Sequence, residues 1–186
     1  MARRVFYSFH YQADIFRVNV VRMSGEFEKE SRTHFDASLW ERSKSQSTAY
    51  LRKLIDEGLS GTSVTAFLLG SDTANRRWVK YELLRSLAKG NGLLSIHIHR
   101  VPVPSTGFGT SATAAKGENI LDRYYVEVGG RRHRLSDMFS TYDWNADAGH
   151  ANVGRWVENA KQQADRYIPR GATLLDAYGR AVTLTQ

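Results

Sequence analysis

The sequence contains no cysteine. That one absence excludes disulfides, thiolate zinc sites, iron-sulfur clusters and cysteine nucleophiles together, and it fits a reducing cytoplasm. Long apolar runs are missing too. Nothing approaches the roughly 20 residues a membrane span requires, and the start, Met1-Ala-Arg-Arg-Val-Phe-Tyr-Ser, turns polar before a secretory core could form. The expectation is a soluble, unexported, cytoplasmic protein with no membrane partner. Acidic residues are in short supply, 19 against 26 Lys plus Arg, which leaves a formal charge of +7. Such a balance suits a phosphate-bearing small molecule, nucleic acid or an anionic surface.

What is present is ordinary globular material: 186 residues, 41% hydrophobic and 24% charged. A chain of this size buries roughly 70% of its unfolded surface, so it needs neither crosslinks nor metals for stability. Val5-Phe-Tyr-Ser-Phe9 reads as a buried first strand. From Asp14 the period becomes helical, with Phe16, Val20 and Met23 in step and Gly25 as a stop. Thr33-His-Phe-Asp36 is a candidate short strand in an otherwise polar stretch. Leu51, Leu54, Ile55 and Leu59 mark a second helix, capped at Ser47 or Thr48. Ser63 to Leu69 is nearly continuous apolar sequence, the pattern of a strand covered on both faces.

A third helix runs from about Asn75 to Lys89, with Val79, Leu83 and Leu87 on one stripe and Gly90 closing it. Leu93 to His99 is another strand. The alternation is that of βαβ units, hence an α/β protein with a parallel sheet of flavodoxin-like order. Residues 101 to 117 read as a long surface loop. Tyr124 to Leu135 reads as a hairpin turning at Gly129-Gly130. A last helix from Asn152 to Tyr167 presents Val153, Trp156, Val157, Ala160 and Ala164 on one face, and residues 173 to 184 suggest a second small hairpin. The expected division is a main domain over 1–168 with a C-terminal extension, 169–186, packed on it.

In a sheet of this order, ligands bind beyond the carboxyl ends of the strands, where the winding reverses between the first and third. Counting 33–36 as the second strand, those ends are Phe9-His10-Tyr11 and Gly70-Ser71-Asp72-Thr73. The helix that follows carries Trp78 and Glu82, four residues apart and so on one face. An indole beside a carboxylate can stack a heteroaromatic ring and hold a sugar hydroxyl next to it. The plainer alternative makes Trp78 a packing residue and pairs Glu82 with Arg85 or Ser86.

Arg4-Val-Phe-Tyr-Ser-Phe-His-Tyr11 with Arg17 and Arg22, then Gly70-Ser-Asp-Thr-Ala-Asn-Arg-Arg-Trp-Val-Lys-Tyr-Glu82 leading to Ile96-His-Ile-His99, resembles the bacterial TIR-like domains of the Thoeris antiphage type (ThsB-like). Gly117 to Asp122 and Tyr142 to Asn152 are similar to that family as well, so the resemblance spans most of residues 3 to 165. It implies a flavodoxin-like TIR fold and an enzyme that consumes NAD. Such an enzyme cleaves the nicotinamide-ribose bond and makes an ADP-ribose-derived signalling nucleotide, often cyclic. The resemblance puts the catalytic glutamate at Glu82 with Trp78 as its partner. It implies no cofactor beyond NAD as substrate and no metal. The implied partners are an effector protein reached through the diffusible nucleotide, a phage-derived trigger and further copies of the chain. By position, Phe9, His10 and Tyr11 line the nicotinamide side with Gly70 and Ser71 close by, and Arg17 or Arg22 meets the pyrophosphate. A non-catalytic TIR interaction or scaffold module is the competing reading.

Other signals point elsewhere and are weaker. Gly107-Phe-Gly-Thr-Ser-Ala112 has the spacing of a dinucleotide fingerprint, yet Pro102 and Pro104 precede it and no amphipathic helix follows. His97 and His99 share a strand face without a third metal ligand in view. The basic cluster Arg131-Arg-His-Arg134 is expected to be a solvated strand edge that discourages pairing, not a nucleic-acid site.

Overall fold

A computed structural model describes residues 3–24, 47–104, 111–168 and 172–182. The candidate strand at 33–36, the stop at Gly25 and most of the 107–112 fingerprint lie outside them. The elements in chain order are β1 (Val5–Ser8), α1 (Tyr11–Arg22), α2 (Thr48–Leu59), β2 (Val64–Leu69), α3 (Arg77–Lys89), β3 (Gly92–His97), β4 (Val103–Pro104), β5 (Ser111–Ala112), β6 (Tyr125–Val128), β7 (Arg131–Arg134), α4 (Leu135–Met138), β8 (Thr141–Asp143), α5 (Gly149–Tyr167) and β9 (Leu174–Leu175). The central sheet is parallel throughout, in the order β1-β2-β3-β8.

Strand alternation sorts the core into two layers. Val64, Ala66 and Leu68 of β2 join Leu94 and Ile96 of β3 on the face covered by α1 (Val18, Val21) and α5 (Val153, Trp156, Val157, Ala160). Phe67 and Leu69 point the other way, onto Val79, Leu83 and Leu87 of α3. Beside α3 lies α2, whose Ile55 and Leu59 meet Phe6 of β1 and Tyr81 of α3. Every residue of β2 and β3 is buried, as the unbroken apolar runs require.

The local signals operate as their chemistry dictates. Ser47 caps α2 by accepting from Tyr50 N at 3.2 Å, and Gly90 ends α3 in the left-handed region at φ 79°. Gly129 and Gly130 both take positive φ, which the two-residue turn between β6 and β7 demands. Some details differ from the pattern reading, among them the start of the last helix, at Gly149 and not Asn152. α1 begins at Tyr11, not Asp14, because the chain turns directly out of β1 through Phe9 and His10. Residues 73–75 form a 3-10 turn ahead of α3. The described residues of 101–117 lie largely at the surface, as expected, but they are tied down: β4 pairs with β5, Ala114 N donates to His99 O at 2.8 Å, and Gly117 lies against the Gly70 carbonyl with no room for a Cβ. The chain therefore lies back across the ends of β2 and β3.

β9 adds to β6 in a separate three-stranded sheet, β7-β6-β9, and Leu175 bridges Ala181 across the turn at Gly179. Among the described residues no helix is long and apolar enough to cross a membrane.

Helix and sheet approach closely at Gly92. A Cβ built there would stand 2.5 Å from the backbone of Ala160 in α5. Gly92→Ala is therefore expected to push α5 outward and cost about 1–3 kcal/mol, a fall in melting temperature of a few degrees to about 10 °C. A thermal melt followed by circular dichroism checks it.

Candidate active site

The carboxyl ends of β1 and β2 lie side by side, and the chain leaves both to begin α1 and the turn before α3. Two helix N-termini thus converge on one crevice, with their partial positive charge toward it. A cavity of about 290 Å³ opens there, lined by Phe9, His10, Tyr11, Gln12, Leu51, Arg76, Trp78, Val79 and Glu82. That volume is near the lower end of the range for ligand sites, roughly 300–1,000 Å³.

Glu82 is 4% exposed, on the inward face of α3. Ser8 Oγ, at the end of β1, donates to its Oε2 at 2.5 Å. Burial pushes the Glu82 carboxyl up to about 8, and the Ser8 hydrogen bond pulls only partly against it. Among the described residues no cation pairs with it. Arg85, the partner of the plainer alternative, instead bonds Asp56 of α2 at 2.6 Å. Ser86, the other, bonds Thr65 Oγ1 at 2.7 Å. Trp78, one turn before Glu82, packs edge-on against Tyr81 with ring centroids 5.8 Å apart and still faces the cavity.

Of the residues singled out in the sequence, Glu82, Trp78, Phe9, His10 and Tyr11 come together around this cavity. Gly70 and Ser71, just past the end of β2, are not among the lining residues; Gly70 leaves room for the Asp14 carboxylate and donates its N–H to Thr73 Oγ1 at 3.0 Å. That buried Asp14, held above the ordinary carboxylate range by desolvation, pins the start of α1 to the end of β2. Arg17 and Arg22 are not among the lining residues. Arg17 is buried against Asp14 at 3.8 Å and donates to the Ala112 carbonyl at 3.3 Å. Arg22 is eleven residues beyond Tyr11, about 16 Å along the helix axis.

The wall also contains residues the sequence reading passed over. Leu51 arrives from α2, and Gln12 from the first turn of α1. Arg76 stands at the start of α3, ion-paired with Asp72 and with about half its side chain exposed, 44%. Its position one residue before the helix was the signal available for it: a cation at a helix N-terminus beside the crevice adds to the same anion-attracting field.

His97 and His99 lie away from the cavity, buried and edge-to-face with centroids 5.9 Å apart. His99 Nε2 is 3.9 Å from Asp143. Desolvation lowers both imidazoles, His97 to about 4, so they are neutral at physiological pH. Among the described residues no three His, Asp or Glu side chains gather as a metal site.

The sequence matches a family model described as "Thoeris protein ThsB, TIR-like domain" over residues 6–102. It is 38% identical over 191 aligned positions, covering 84% of this chain and the whole of the relative, to a Bacillus cereus (strain MSX-D12) protein named "Putative cyclic ADP-D-ribose synthase ThsB1".

Proposed function

The chain belongs to the Thoeris ThsB family of TIR-like domains, and from that premise we propose that it is an NAD-consuming signalling enzyme whose reaction is run by Glu82 in the crevice between β1 and β2. The cationic nicotinamide ring enters the apolar end beside Trp78, Phe9 and Tyr11. The bond from its nitrogen to ribose C1′ breaks, the electron pair passes to the ring nitrogen, and neutral nicotinamide leaves. The ribose is left with oxocarbenium character, which the Glu82 carboxylate stabilises by charge and by accepting from ribose hydroxyls. A nitrogen of the adenine closes onto C1′ and one proton is released, giving a cyclic ADP-ribose. Water in its place would give linear ADP-ribose.

One observation carries this reading: Glu82 is a buried carboxyl with no cation paired to it among the described residues, on the wall of a cavity and one helical turn from Trp78. A substrate that brings its own positive charge supplies the partner that the Glu82 carboxyl does not have among the described residues. NAD serves as substrate and no resident cofactor is invoked. The phosphates are met by Arg76 and the two helix N-termini, in place of Arg17 and Arg22. The cyclic nucleotide then acts on a separate effector protein in the cytoplasm, after a phage-derived trigger or self-assembly has switched the enzyme on.

Incubation of the purified chain with NAD should release nicotinamide, with a matching nucleotide product by mass spectrometry. Intact NAD, both alone and with extract from phage-infected cells, would contradict the reading. Arg76→Ala is expected to raise KM about 10-fold with little change in kcat, the loss of one charge-assisted phosphate contact. Arg17→Lys, away from the cavity, is expected to leave KM unchanged.

A further inference from the structure

The face of α3 that meets the sheet carries two polar residues among its apolar ones, Glu82 and Ser86, four apart and both buried. Each meets a hydroxyl from the sheet: Ser8 of β1 reaches Glu82, and Thr65 of β2 reaches Ser86. Asn91 extends the second contact, donating to Thr65 Oγ1 at 3.2 Å and to Thr62 Oγ1 at 3.0 Å. The two rungs differ in one respect. The Thr65–Ser86 rung is sealed in the interior, whereas the Ser8–Glu82 rung ends on the cavity wall.

Ser8 itself is 0% exposed, and β1 fixes its direction. Its strand partner is Phe67, and alternation turns Phe6 and Ser8 toward α3 while Val5 and Tyr7 face the opposite layer. The hydroxyl therefore has little freedom beyond rotation of its hydrogen. No second hydrogen bond to the Glu82 carboxyl occurs among the described residues. Tied at Oε2, the carboxyl has one oxygen left for substrate.

We infer that Ser8 is a positioning residue for the reaction: its hydroxyl holds Glu82 Oε2 so that Oε1 is the oxygen presented to the ribose. The assignment rests on the reading of Glu82 given above. A hydroxyl suits the task because it donates to the ionised carboxylate and accepts from the protonated acid, so the orientation survives either charge state. It also favours the ionised form, which is the form the reaction uses, against the effect of burial. The ionisable groups around the cavity are His10 and Tyr11 at the start of α1 and Arg76 with Asp72 ahead of α3. α2 contributes only Leu51. Burial and Ser8 are the two influences on Glu82, so the effect of Ser8 can be read separately.

The test compares Ser8→Ala with Ser86→Ala and Glu82→Gln, in NAD turnover across pH and in the infrared carboxyl band of Glu82 assigned by difference against Glu82→Gln. Ser8→Ala should lower kcat about 10- to 100-fold with KM nearly unchanged, and should raise by about one unit both the acid limb of the rate profile and the titration of the Glu82 band. Ser8→Thr, which keeps the hydroxyl, should recover part of both. Ser86→Ala should lower the melting temperature and leave both pH readings in place. An unmoved band and profile in Ser8→Ala, beside an inactive Glu82→Gln, would overturn the role of Ser8 alone, as would equal shifts in Ser86→Ala. Full turnover by Glu82→Gln would overturn the reading of Glu82 and this inference with it.

Discussion

Glu82→Gln is expected to lower NAD turnover by a factor of about 1,000 or more while making the folded protein more stable at alkaline pH. The two effects share one cause. The carboxyl is buried without a cation, and its affinity for a proton rises from 4.5 in the unfolded chain to about 8 in the folded one. Between those values the folded state keeps a proton that the unfolded state has released. Stability therefore falls as pH rises through that window, and the full cost of about 5 kcal/mol is reached above pH 8. Glutamine cannot ionise, yet its carbonyl still accepts from Ser8, so Glu82→Gln removes the cost. The variant should melt on the order of 10 °C above the parent at pH 9 and level with it near pH 4.

Catalysis runs the other way, since the uncharged amide cannot stabilise the developing oxocarbenium. For the parent, kcat/KM should climb toward a plateau above pH 8, while kcat should rise at lower pH because bound cationic nicotinamide favours the carboxylate. Parallel melts and rates for the two proteins at four or five pH values decide the matter.

The second large effect belongs to the opposite layer. Trp156 is 2% exposed, stacked on Tyr142 with ring centroids 4.2 Å apart and planes 5° from parallel, and it meets Trp144 edge-on. These contacts join α5 to β8 and to the turn that follows it. Trp156→Ala should cost about 4–5 kcal/mol, the transfer and cavity loss of a buried indole together with its aromatic pairing. That is about a quarter or more of the stability of a typical domain, about 5–15 kcal/mol. A fall of roughly 10–20 °C in melting temperature is expected, with Trp156→Phe recovering more than half through the retained stack on Tyr142. Denaturant unfolding checks the free energy directly. A loss below about 1 kcal/mol would mean that α5 is not held to the sheet by this cluster.

Where sequence periodicity carried a fold feature, the feature was strong and local. The unbroken apolar stretch of β2, the spacing of Leu51, Ile55 and Leu59, and the Gly90 stop each follow from residues within a few positions of one another. β8 escaped notice because Thr141-Tyr-Asp143 has no pattern of its own; it is a strand by virtue of pairing with Ser95, Ile96 and His97. The site divides in the same way. Trp78 and Glu82 were legible as an i, i+4 pair on one helix.

Ser8 was hidden inside an apolar run, since its role depends on where α3 lands. Arg17 and Arg22 are close to the crevice in sequence, but α1 carries them along its length, whereas Arg76 lines the cavity. The surplus charge is only partly a matter of this cavity. Arg132 and Arg134 stack over Tyr125 at 4.2 and 5.6 Å, and Arg123 ties the residues after Gly117 to Ala74 and Asn75. Part of the basic surplus thus serves contacts on the protein's own surface.

The central claim is that the Glu82 carboxylate, in this crevice, turns NAD into a signalling nucleotide. It is tested most directly by mass spectrometry of the nucleotide pool in phage-infected cells carrying either the parent protein or Glu82→Gln at matched abundance. A new ADP-ribose-derived nucleotide with the parent and none with Glu82→Gln is the predicted result. The same nucleotide at the same level from both would contradict it.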